Sequence, residues 1–303
     1  MIDPRLNHAV AIARIGSFTS AAQAVGVTQS TITKSIADLE RQLGYQIFHR
    51  TSRGAILTEE GREFVDRASR LLDDARALLS GAAIRDPHAG IVRIGVCPPS
   101  LEWALVDPLL ALLDRYPGVR LDISSSSFER VVQLLRTGSV DVAVGFDASF
   151  GDWPDLKRQS LPALRTILFV RKQHPILSCE QVTAADLARY DFVAPSDCRP
   201  YGGVIRDIYE SQGIDWQSRM HVIDCFPIVR RIVSTTNAIS AVSIPHSRSS
   251  SFRKYFETVE TDNIFPVAPL CCATRAGITP APAVREFIAA VRSSFQRRHH
   301  SQE

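Results

Sequence analysis

The sequence predicts a mainly helical N-terminal domain, one long linker helix and a larger α/β region. Three observations indicate this order: apolar residues recur at helical spacing over 1–58, a narrow apolar seam follows over 59–83, and strands alternate with helices from residue 91 onward. Of the 303 residues, 45% are apolar and 22% are charged, which is ordinary for a globular protein. We therefore expect about two folded domains and exclude a disordered chain or a disulfide-dependent miniprotein.

The sequence lacks the marks of export or membrane insertion. The first residues do not read as a signal peptide, and no stretch approaches the roughly 20 apolar residues that a membrane span needs. The cysteines form no C-x-x-C pair; they are Cys97, Cys179, Cys198, Cys225, Cys271 and Cys272. We expect a cytoplasmic protein with no membrane partner, no metal site and no cofactor.

The first domain is predicted to hold three short helices and a β-hairpin. Two helices are marked by apolar residues at helical spacing, which are Leu6, Ala9, Val10 and Ala13, then Phe18, Ala21, Ala22 and Val25. Gly26 ends the second helix. Thr28 caps a third helix and Gly44 closes it. Residues 47–58 then read as two short strands around a polar, basic turn.

The third predicted helix has a polar outer face of the kind that reads DNA. With its apolar seam pointing inward, this face and its edges carry Gln29, Ser30, Thr31, Thr33 and Lys34. Amide and hydroxyl groups can bond to base edges in the major groove, and a lysine can reach a guanine or a phosphate. Residues 1–58 hold six Lys or Arg against three acids, an excess equal to the whole chain's +3. The pattern favours a helix-turn-helix, but a three-helix bundle with a solvated polar face fits it equally well.

The linker helix is predicted from a 4, 3, 4, 3, 4 spacing of apolar residues. These are Phe64, Ala68, Leu71, Ala75, Leu78 and Ala82. Such a narrow a/d seam is typical of a helix that pairs with another helix. The alternative is a single amphipathic helix packed on its own domain, which usually shows a wider apolar face. Pro87 and Gly90 then mark a hinge.

The α/β region is predicted as two series of strands and helices. The first has strands at 91–96, 119–124 and 140–145 and helices at 101–116 and 128–136. The second has strands at 167–171, 192–194, 220–223 and 238–242, helices after Tyr201 and before Val233, and a C-terminal amphipathic helix over 284–295. Strands that alternate with helices predict parallel sheets built from right-handed crossovers.

Several segments together closely resemble the N-terminal domain of LysR-type transcriptional regulators. They are Ser17-Phe18-Thr19-Ser20-Ala21-Ala22, Val27-Thr28-Gln29-Ser30, Leu39-Glu40, Leu43-Gly44, Ile47-Phe48-His49-Arg50, Leu57-Thr58 and Gly61. Tyr116-Pro117-Gly118-Val119, residues 138–143 and His174-Pro175 also look like landmarks of that family. The sequence departs from the family near Thr236-Asn237-Ala238, where many members have a glycine-rich turn. Asparagine tolerates the left-handed backbone, so we expect the turn to survive.

The resemblance implies the domain boundaries. A winged helix-turn-helix occupies 1–58, and a dimerising linker helix with a hinge occupies 59–88. An α/β effector domain with a two-lobed fold like that of periplasmic binding proteins occupies 89–303. Lobe I spans about 89–163 and 267–303, and lobe II spans about 164–266.

The resemblance also implies function and partners. It describes a bacterial regulator whose promoter binding is modulated by a small-molecule effector, which assembles as a homodimer or homotetramer and has RNA polymerase as a further partner. Gln29, Ser30, Thr31, Thr33 and Lys34 would then face the major groove of double-stranded DNA. Arg50 and Arg53, in the basic turn, would contact phosphates or the minor groove.

An effector site is expected in the cleft between the lobes. Ser100 is placed at a helix N-terminus, and Ser126 and Glu129 fit a capping box before the next helix. Helix N-termini with serine hydroxyls suit a carboxylate or similar anion, although Ser126 and Ser127 are equally well read as caps alone. The full predicted set is Ser100, Ser126, Ser127, Phe146, Ser196 and Phe226. We expect a small organic anion as effector.

Other functional classes fit the sequence less well. An enzyme would need a reactive constellation, and no G-x-S-x-G, H-E-x-x-H or P-loop is present. A solute-binding protein would carry an export signal. A thiol redox sensor of the same family, using Cys198 with Cys225, is the closest alternative.

Overall fold

The computed structural model describes residues 2–51, 54–79, 86–196, 199–261 and 264–300. The chain separates into two compact units, Met1–Pro87 and His88–Glu303. None of the helices in these described ranges is both long and apolar enough to cross a membrane.

The first unit contains four helices and a hairpin within the described residues. The helices are α1 (Pro4–Ile15), α2 (Phe18–Ala24), α3 (Gln29–Leu43) and α4 (Glu59–Leu79), and strands β1 (Phe48–Thr51) and β2 (Gly54–Leu57) pair antiparallel. The predicted caps are present: the Thr28 side chain accepts a hydrogen bond from the backbone N–H of Thr31, and Gly44 closes α3 in the left-handed conformation. Local sequence signals therefore set the limits of these helices.

Helix α4 packs on its own unit along one side and leaves another side exposed. Val65, Ala68 and Leu72 are buried against the core of the first unit, whereas Leu71 is 53% exposed and Leu79 is 88% exposed. Ala68 of the predicted seam thus packs on the unit's own core, together with Val65 and Leu72, which lie outside the heptad pattern. Pairing of the seam with a second helix stays a prediction. Residue 82 of that seam lies outside the described residues, and the side chain of Leu78 is not described.

The second unit begins with a five-stranded sheet in the order β4-β3-β5-β12-β6. Its strands are β3 (Gly90–Cys97), β4 (Val119–Ser125), β5 (Val142–Phe146), β6 (Leu156–Leu164) and β12 (Ala268–Arg275). Its helices are α5 (Glu102–Arg115), α6 (Phe128–Arg136), α7 (Asp147–Phe150) and α13 (Pro282–His300). A 3-10 turn, Pro99–Leu101, precedes α5. This sheet with its helices forms lobe I.

Lobe II is a second five-stranded sheet in the order β11-β7-β10-β8-β9. Its strands are β7 (Thr166–Arg171), β8 (Phe192–Ala194), β9 (Met220–Val222), β10 (Ile239–Ser243) and β11 (Phe256–Val259). Its helices are α8 (Ala184–Leu187), α9 (Gly202–Glu210), α10 (Phe226–Thr235), α11 (Ile244–Ser247) and α12 (Ser250–Arg253), with 3-10 turns at Pro175–Ser178 and Trp216–Arg219. One apolar core continues from lobe I into lobe II.

The sheets are mixed, which corrects the expectation of parallel sheets. Strand β3 pairs parallel with β4 and β5, but β12 pairs antiparallel with β5 and β6. In lobe II, β7 pairs antiparallel with β10 and β11. The chain crosses between the lobes from β6 to β7 and from β11 to β12. Each of these four strands pairs antiparallel with its neighbours in the sheet. Strands β6, β11 and β12 were not among the strands predicted from the sequence.

The turn at Asn237 also differs from its prediction. Among the non-glycine residues that the structure describes, Gln173 has a positive φ and Asn237 does not. The Asn237 side-chain oxygen instead accepts hydrogen bonds from Arg171 Nε at 3.2 Å and Nη2 at 2.9 Å. Arg171 thus fixes the turn through a side chain, so that a left-handed residue is not needed there.

Candidate functional site

The outer face of α3 is polar and exposed, as predicted. Gln29, Ser30, Thr31 and Lys34 are exposed and Thr33 is half-buried, while Ile32 and Ile36 on the opposite face are fully buried. Because the two faces are this distinct, α3 presents an amide, hydroxyls and a cation to solvent on one surface. Such a surface has the chemistry needed to contact base edges and phosphates.

The hydroxyls at the start of α3 form a local cluster. Thr28 Oγ1 lies 2.9 Å from Ser30 Oγ and 2.8 Å from Thr31 Oγ1. Further along the helix, Arg41 is paired with Asp38 at 2.8 Å. Lys34 makes no ion pair with another described residue, so no carboxylate in the described part of the chain neutralises its charge.

The hairpin is held against the helices by hydrogen bonds that its backbone N–H groups donate. Glu40 Oε1, on α3, accepts hydrogen bonds from the backbone N–H groups of Ile47 at 2.7 Å and Phe48 at 3.1 Å. Ala55 N–H donates to the Gly16 carbonyl at 2.8 Å. A Cβ at Gly54 would lie 2.3 Å from the Gly16 carbonyl oxygen, so this approach requires glycine. The role of Glu40 as an anchor for the hairpin was not predicted.

The basic turn of the hairpin is only partly described. Arg50 lies in β1, where its backbone pairs with Ala55, and its side chain is not described. Arg53 lies outside the described residues. The predicted phosphate contacts of these two arginines remain predictions.

A cavity with about 610 Å³ of empty space, including its opening to solvent, is lined from both lobes. Lobe I contributes Ser100, Leu101 and Phe146, and residues of lobe II include Thr166, Tyr201 and Ser243. Much of the wall is apolar and aromatic, and the rings of Phe146 and Phe265 both pack against Tyr201, at centroid distances of 5.6 and 4.9 Å. A cavity of this kind suits a small ligand with an apolar body.

Most of the polar side chains that line the cavity carry hydroxyl groups. Thr166 Oγ1 and the Tyr201 hydroxyl lie 2.9 Å apart, and burial raises the pKa of Tyr201, so the phenol keeps its proton. Ser240 Oγ donates to the Val193 carbonyl at 2.7 Å. Ser243 Oγ is buried and makes no hydrogen bond with any described residue. Since a buried hydroxyl without a partner is unfavourable, Ser243 is the group best placed to bond to a ligand.

Arg199 is the charged residue among the described lining of the cavity. Its Nη1 lies 3.2 Å from Asp152 Oδ2, and its Nη2 lies 3.9 Å from Glu129 Oε1. The guanidinium also lies over the ring of Phe128, 4.5 Å from the centroid. All three contacts are with lobe I, whereas Arg199 belongs to lobe II. The cation that faces the cavity therefore also bridges the two lobes.

The structure brings two of the predicted effector residues to the cavity. Ser100 and Phe146 line it, whereas Ser126, Ser127, Ser196 and Phe226 do not. Phe226 instead packs against the rings of Phe169 and His246. The Ser196 N–H donates to Asp224 at 2.9 Å. The capping box predicted at Ser126 is wrong, whereas the reading of Ser127 as a cap is confirmed: Ser127 caps α6 by accepting a hydrogen bond from the Arg130 N–H. Ser100 lies in the 3-10 turn before α5 and is not its cap.

Other residues of the cavity were missed by sequence reasoning. Ser243 ends a strand that was predicted, so its position at a strand terminus was a usable signal. Arg199 and Phe265 lie in connecting segments without a periodic pattern, and nothing local in the sequence distinguishes them. Tyr201 was recognised only as the start of a helix.

Most described cysteines are shielded from solvent. Cys97, Cys271 and Cys272 are buried, and burial raises the pKa of Cys272 to about 12 and also raises the pKa of Cys271. The thiols of Cys271 and Cys272 are therefore poor nucleophiles at neutral pH. Cys225 is exposed and immediately precedes α10, and Cys198 lies outside the described residues.

Comparisons with known proteins match both units. Residues 5–62 match the family described as bacterial regulatory helix-turn-helix protein, lysR family, and residues 85–296 match the LysR substrate binding domain. The chain is 29% identical over 242 residues to the "SDS degradation transcriptional activation protein" of Pseudomonas sp. (strain ATCC 19151), covering 78% of this chain and 77% of that protein.

Two further similar proteins are relevant, the first to the thiol-sensor alternative and the second to the order of domains. A "Probable hydrogen peroxide-inducible genes activator" of Mycobacterium xenopi is 36% identical over 135 residues, covering 44% of this chain and 71% of that protein. The crystal structure of full-length CbnR complexed with its target DNA matches with a TM-score of 0.64 and 22% identity, covering 97% of this chain and all of that one. This structural similarity supports the predicted order of helix-turn-helix, linker helix and two-lobed α/β domain.

Proposed function

The chain belongs to the LysR family of regulatory helix-turn-helix proteins, and from this premise we propose how it reads DNA and which ligand it senses. Helix α3 enters the major groove of the operator, and a small organic anion with an apolar body binds between the two lobes. Binding of the anion changes the affinity of the regulator for its promoter.

The DNA-binding part of the proposal is supported by the face of α3. Thr33 and Gln29 would contact base edges, and Lys34 would reach a guanine or a phosphate. Glu40 holds the hairpin by two backbone hydrogen bonds, which would set the basic turn beside the groove. Arg50 and Arg53 would there contact phosphates or the minor groove and give affinity and register rather than sequence selection.

The observation that carries the ligand part is the composition of the inter-lobe cavity. Phe146, Tyr201 and Phe265 would enclose the apolar body of the ligand. Ser243 has a buried hydroxyl without a partner among the described residues, and Arg199 brings a guanidinium to the same wall. An anionic group would accept hydrogen bonds from both, with Ser100 as a further donor.

Arg199 supplies a route from ligand binding to conformational change. In the structure its guanidinium contacts Asp152 and Glu129 of lobe I. An anion that binds this guanidinium competes with the two carboxylates, so it binds one arrangement of the lobes better than another. Only such a difference in affinity can shift the equilibrium that controls DNA binding.

Oligomer formation through α4 completes the proposed function. Leu71 and Leu79 are exposed on α4, although they belong to or adjoin the apolar seam that the sequence predicts for helix pairing. A second copy of α4 would cover them and form a homodimer. A dimer would place two copies of α3 on two half-sites of the operator, and two dimers would form the homotetramer.

The experiment that tests the proposal has two parts on the full chain. DNase footprinting across the region upstream of its own gene is expected to show a protected segment whose affinity falls with salt. A thermal-shift screen of organic acids is then expected to find a stabilising anion that alters the footprint. A screen in which neutral or cationic compounds alone stabilise the protein would contradict the proposed ligand class.

A thiol trigger is the second candidate, favoured by the exposure of Cys225 ahead of α10. In this alternative Cys198 and Cys225 would form a disulfide. The double variant Cys198→Ser, Cys225→Ser is expected to keep its response to the organic anion. If it folds and binds DNA but no longer responds to the natural inducer, the thiol mechanism replaces the one proposed.

A further inference from the structure

We propose that lobe I holds a second anion-binding site, separate from the inter-lobe cavity, between the β6–β12 strand pair and the first turns of α13. A cavity with about 980 Å³ of empty space, including its open mouth, lies there. None of its lining residues also lines the inter-lobe cavity. The site is independent of the effector proposed above and can be tested without it.

The floor of this site is one face of the sheet. Lys157 on β6 pairs directly with Thr274 on β12, and Gln159 pairs with Cys272. Because side chains alternate along a strand, Thr274 shares a face with Cys272, and Lys157 shares the same face with Gln159. Arg158, on the opposite face, pairs with Asp147 and takes no part.

The roof of the site is one face of α13. Arg285, Ile288 and Arg292 are spaced i, i+3 and i+7 and therefore lie on one side of the helix. Arg285 Nη1 donates to the Pro280 carbonyl at 2.8 Å, which holds it at the cavity wall. Arg292 Nη2 donates to Gln159 Oε1 at 3.1 Å and ties the helix to β6.

The charge of the site is positive and unbalanced. Lys157 and Arg285 line the cavity, and no carboxylate is among its described lining residues. Neither cation forms an ion pair with any residue in the described part of the chain. A cavity with two such cations attracts anions, because no internal carboxylate has to be displaced.

The observation that points to a ligand is the hydroxyl of Thr274. Its side chain lines the cavity and is only 2% exposed, yet its Oγ1 makes no hydrogen bond with any described residue. A buried polar atom without a partner is destabilising, and valine would fill the same space without that cost. A ligand that accepts a hydrogen bond from Oγ1 would satisfy it.

The chemistry of the site specifies a small oxyanion. Thr274 Oγ1, Lys157 Nζ and the Arg285 guanidinium are all donors, so the bound group must be an acceptor, as a carboxylate or a phosphate is. Ile288 and Ile278 add an apolar wall that suits a short hydrocarbon chain. A carboxylate with such a chain uses both parts of the site, whereas phosphate uses only the donors.

The experiment titrates inorganic phosphate and butyrate separately into the full-length chain by calorimetry, with ionic strength held constant by sodium chloride. Each anion is expected to bind, with butyrate the tighter. Lys157→Met and Thr274→Val are each expected to lower the association constant by about tenfold, as the loss of a hydrogen bond to a charged group does. Lys172→Met, an exposed lysine in lobe II, is the matched control and should leave it unchanged.

Thermal unfolding without added anion separates binding from folding. Thr274→Val is expected to melt no lower than the unmodified chain, because it removes a buried hydroxyl that has no partner. Loss of binding by a variant of unchanged melting temperature supports the site, whether phosphate or butyrate is the tighter ligand. If neither anion binds, or if Lys157→Met and Thr274→Val both bind the anions as tightly as the unmodified chain does, the proposal is overturned.

Discussion

Arg199 Nη1 of lobe II lies 3.2 Å from Asp152 Oδ2 of lobe I. Both side chains are partly solvated, since their exposed fractions are 40% and 77%, so the ion pair contributes little stability. Because the Arg199 side also lines the ligand cavity, we expect that a bound anion can replace Asp152 as its partner at small cost. In the proposed function, exchange of this ion pair for a bound anion would couple ligand binding to the arrangement of the lobes.

Asp152→Asn is expected to raise affinity for the anionic effector. The substitution removes a carboxylate that competes for the Arg199 guanidinium, so the association constant should increase by a few fold, about 0.5–1 kcal/mol. Calorimetry with the organic acid found by screening measures it. Asp147→Asn is the matched control, because Asp147 pairs with Arg158 away from the cavity. Equal affinities for the two variants would exclude competition at Arg199.

Arg53→Ala and Thr33→Ala are expected to damage DNA binding in different ways. Loss of a phosphate contact at Arg53 should weaken binding to all sequences alike and reduce the slope of log K against log salt by about 0.9. Loss of a base contact at Thr33 should change sequence preference by about 1–3 kcal/mol at one position. Fluorescence anisotropy with operator and scrambled duplexes over a salt series separates the two effects. A change of preference in Arg53→Ala alone would reverse the assignment.

Leu71→Arg is expected to lower the oligomer mass without unfolding the first unit. Leu71 is exposed within the chain, so a charge there is harmful only where a second copy covers it. Light scattering measures the mass, and Asp74→Arg, at another exposed position of α4, is the control for added charge. An unchanged mass for Leu71→Arg would show that this side of α4 does not pair.

His246 is expected to make the protein less stable in mild acid. Burial lowers its pKa to about 4, and the positive charge of Arg230 adds to this effect. The unfolded histidine takes up a proton near pH 6.5, so the unfolded chain binds more protons between about pH 6.5 and 4. The contribution of His246 to the free energy of unfolding is therefore fully present above about pH 6.5. As the pH decreases from 6.5 towards 4, the free energy of unfolding decreases by up to about 1.4 kcal/mol per pH unit.

Denaturant unfolding at several pH values tests this slope. His246→Leu should flatten it, whereas Phe252→Leu, which alters the same aromatic cluster, should lower stability equally at every pH. A slope that persists unchanged in His246→Leu would assign the acid sensitivity to other groups.

The sequence was most informative where structure depends on neighbours in the chain. Thr28 and Gly44 mark the ends of α3 by capping, and Ile32 and Ile36 mark its buried face, so the helix and its polar side followed directly. The resemblance to LysR regulators, which the comparisons confirm, added the order of domains. Ser100 and Phe146 were found because residues that follow strand ends face the cleft in this architecture.

The sequence was least informative where structure depends on distant residues. Arg199 meets a carboxylate 47 positions earlier, and β12 pairs with β6, more than 100 positions away. No local pattern encodes either contact. On α4, the heptad spacing predicted one apolar stripe, and a second stripe, Val65 and Leu72, was not recognised. Each of these two residues directly follows an apolar residue of the first stripe and therefore lies about 100° further around the helix.

The inter-lobe anion site is tested most directly by comparing Ser243→Ala with Ser240→Ala in calorimetric titrations of the full chain with the screened organic acid. Ser243 Oγ has no partner among the described residues, whereas Ser240 Oγ donates to Val193 at 2.7 Å. Ser243→Ala should lower the association constant by about tenfold or more with an unchanged melting temperature, and Ser240→Ala should lower stability by about 1 kcal/mol with little effect on affinity. Unchanged effector affinity in Ser243→Ala, or a tight effector without negative charge, would contradict an anion site between the lobes.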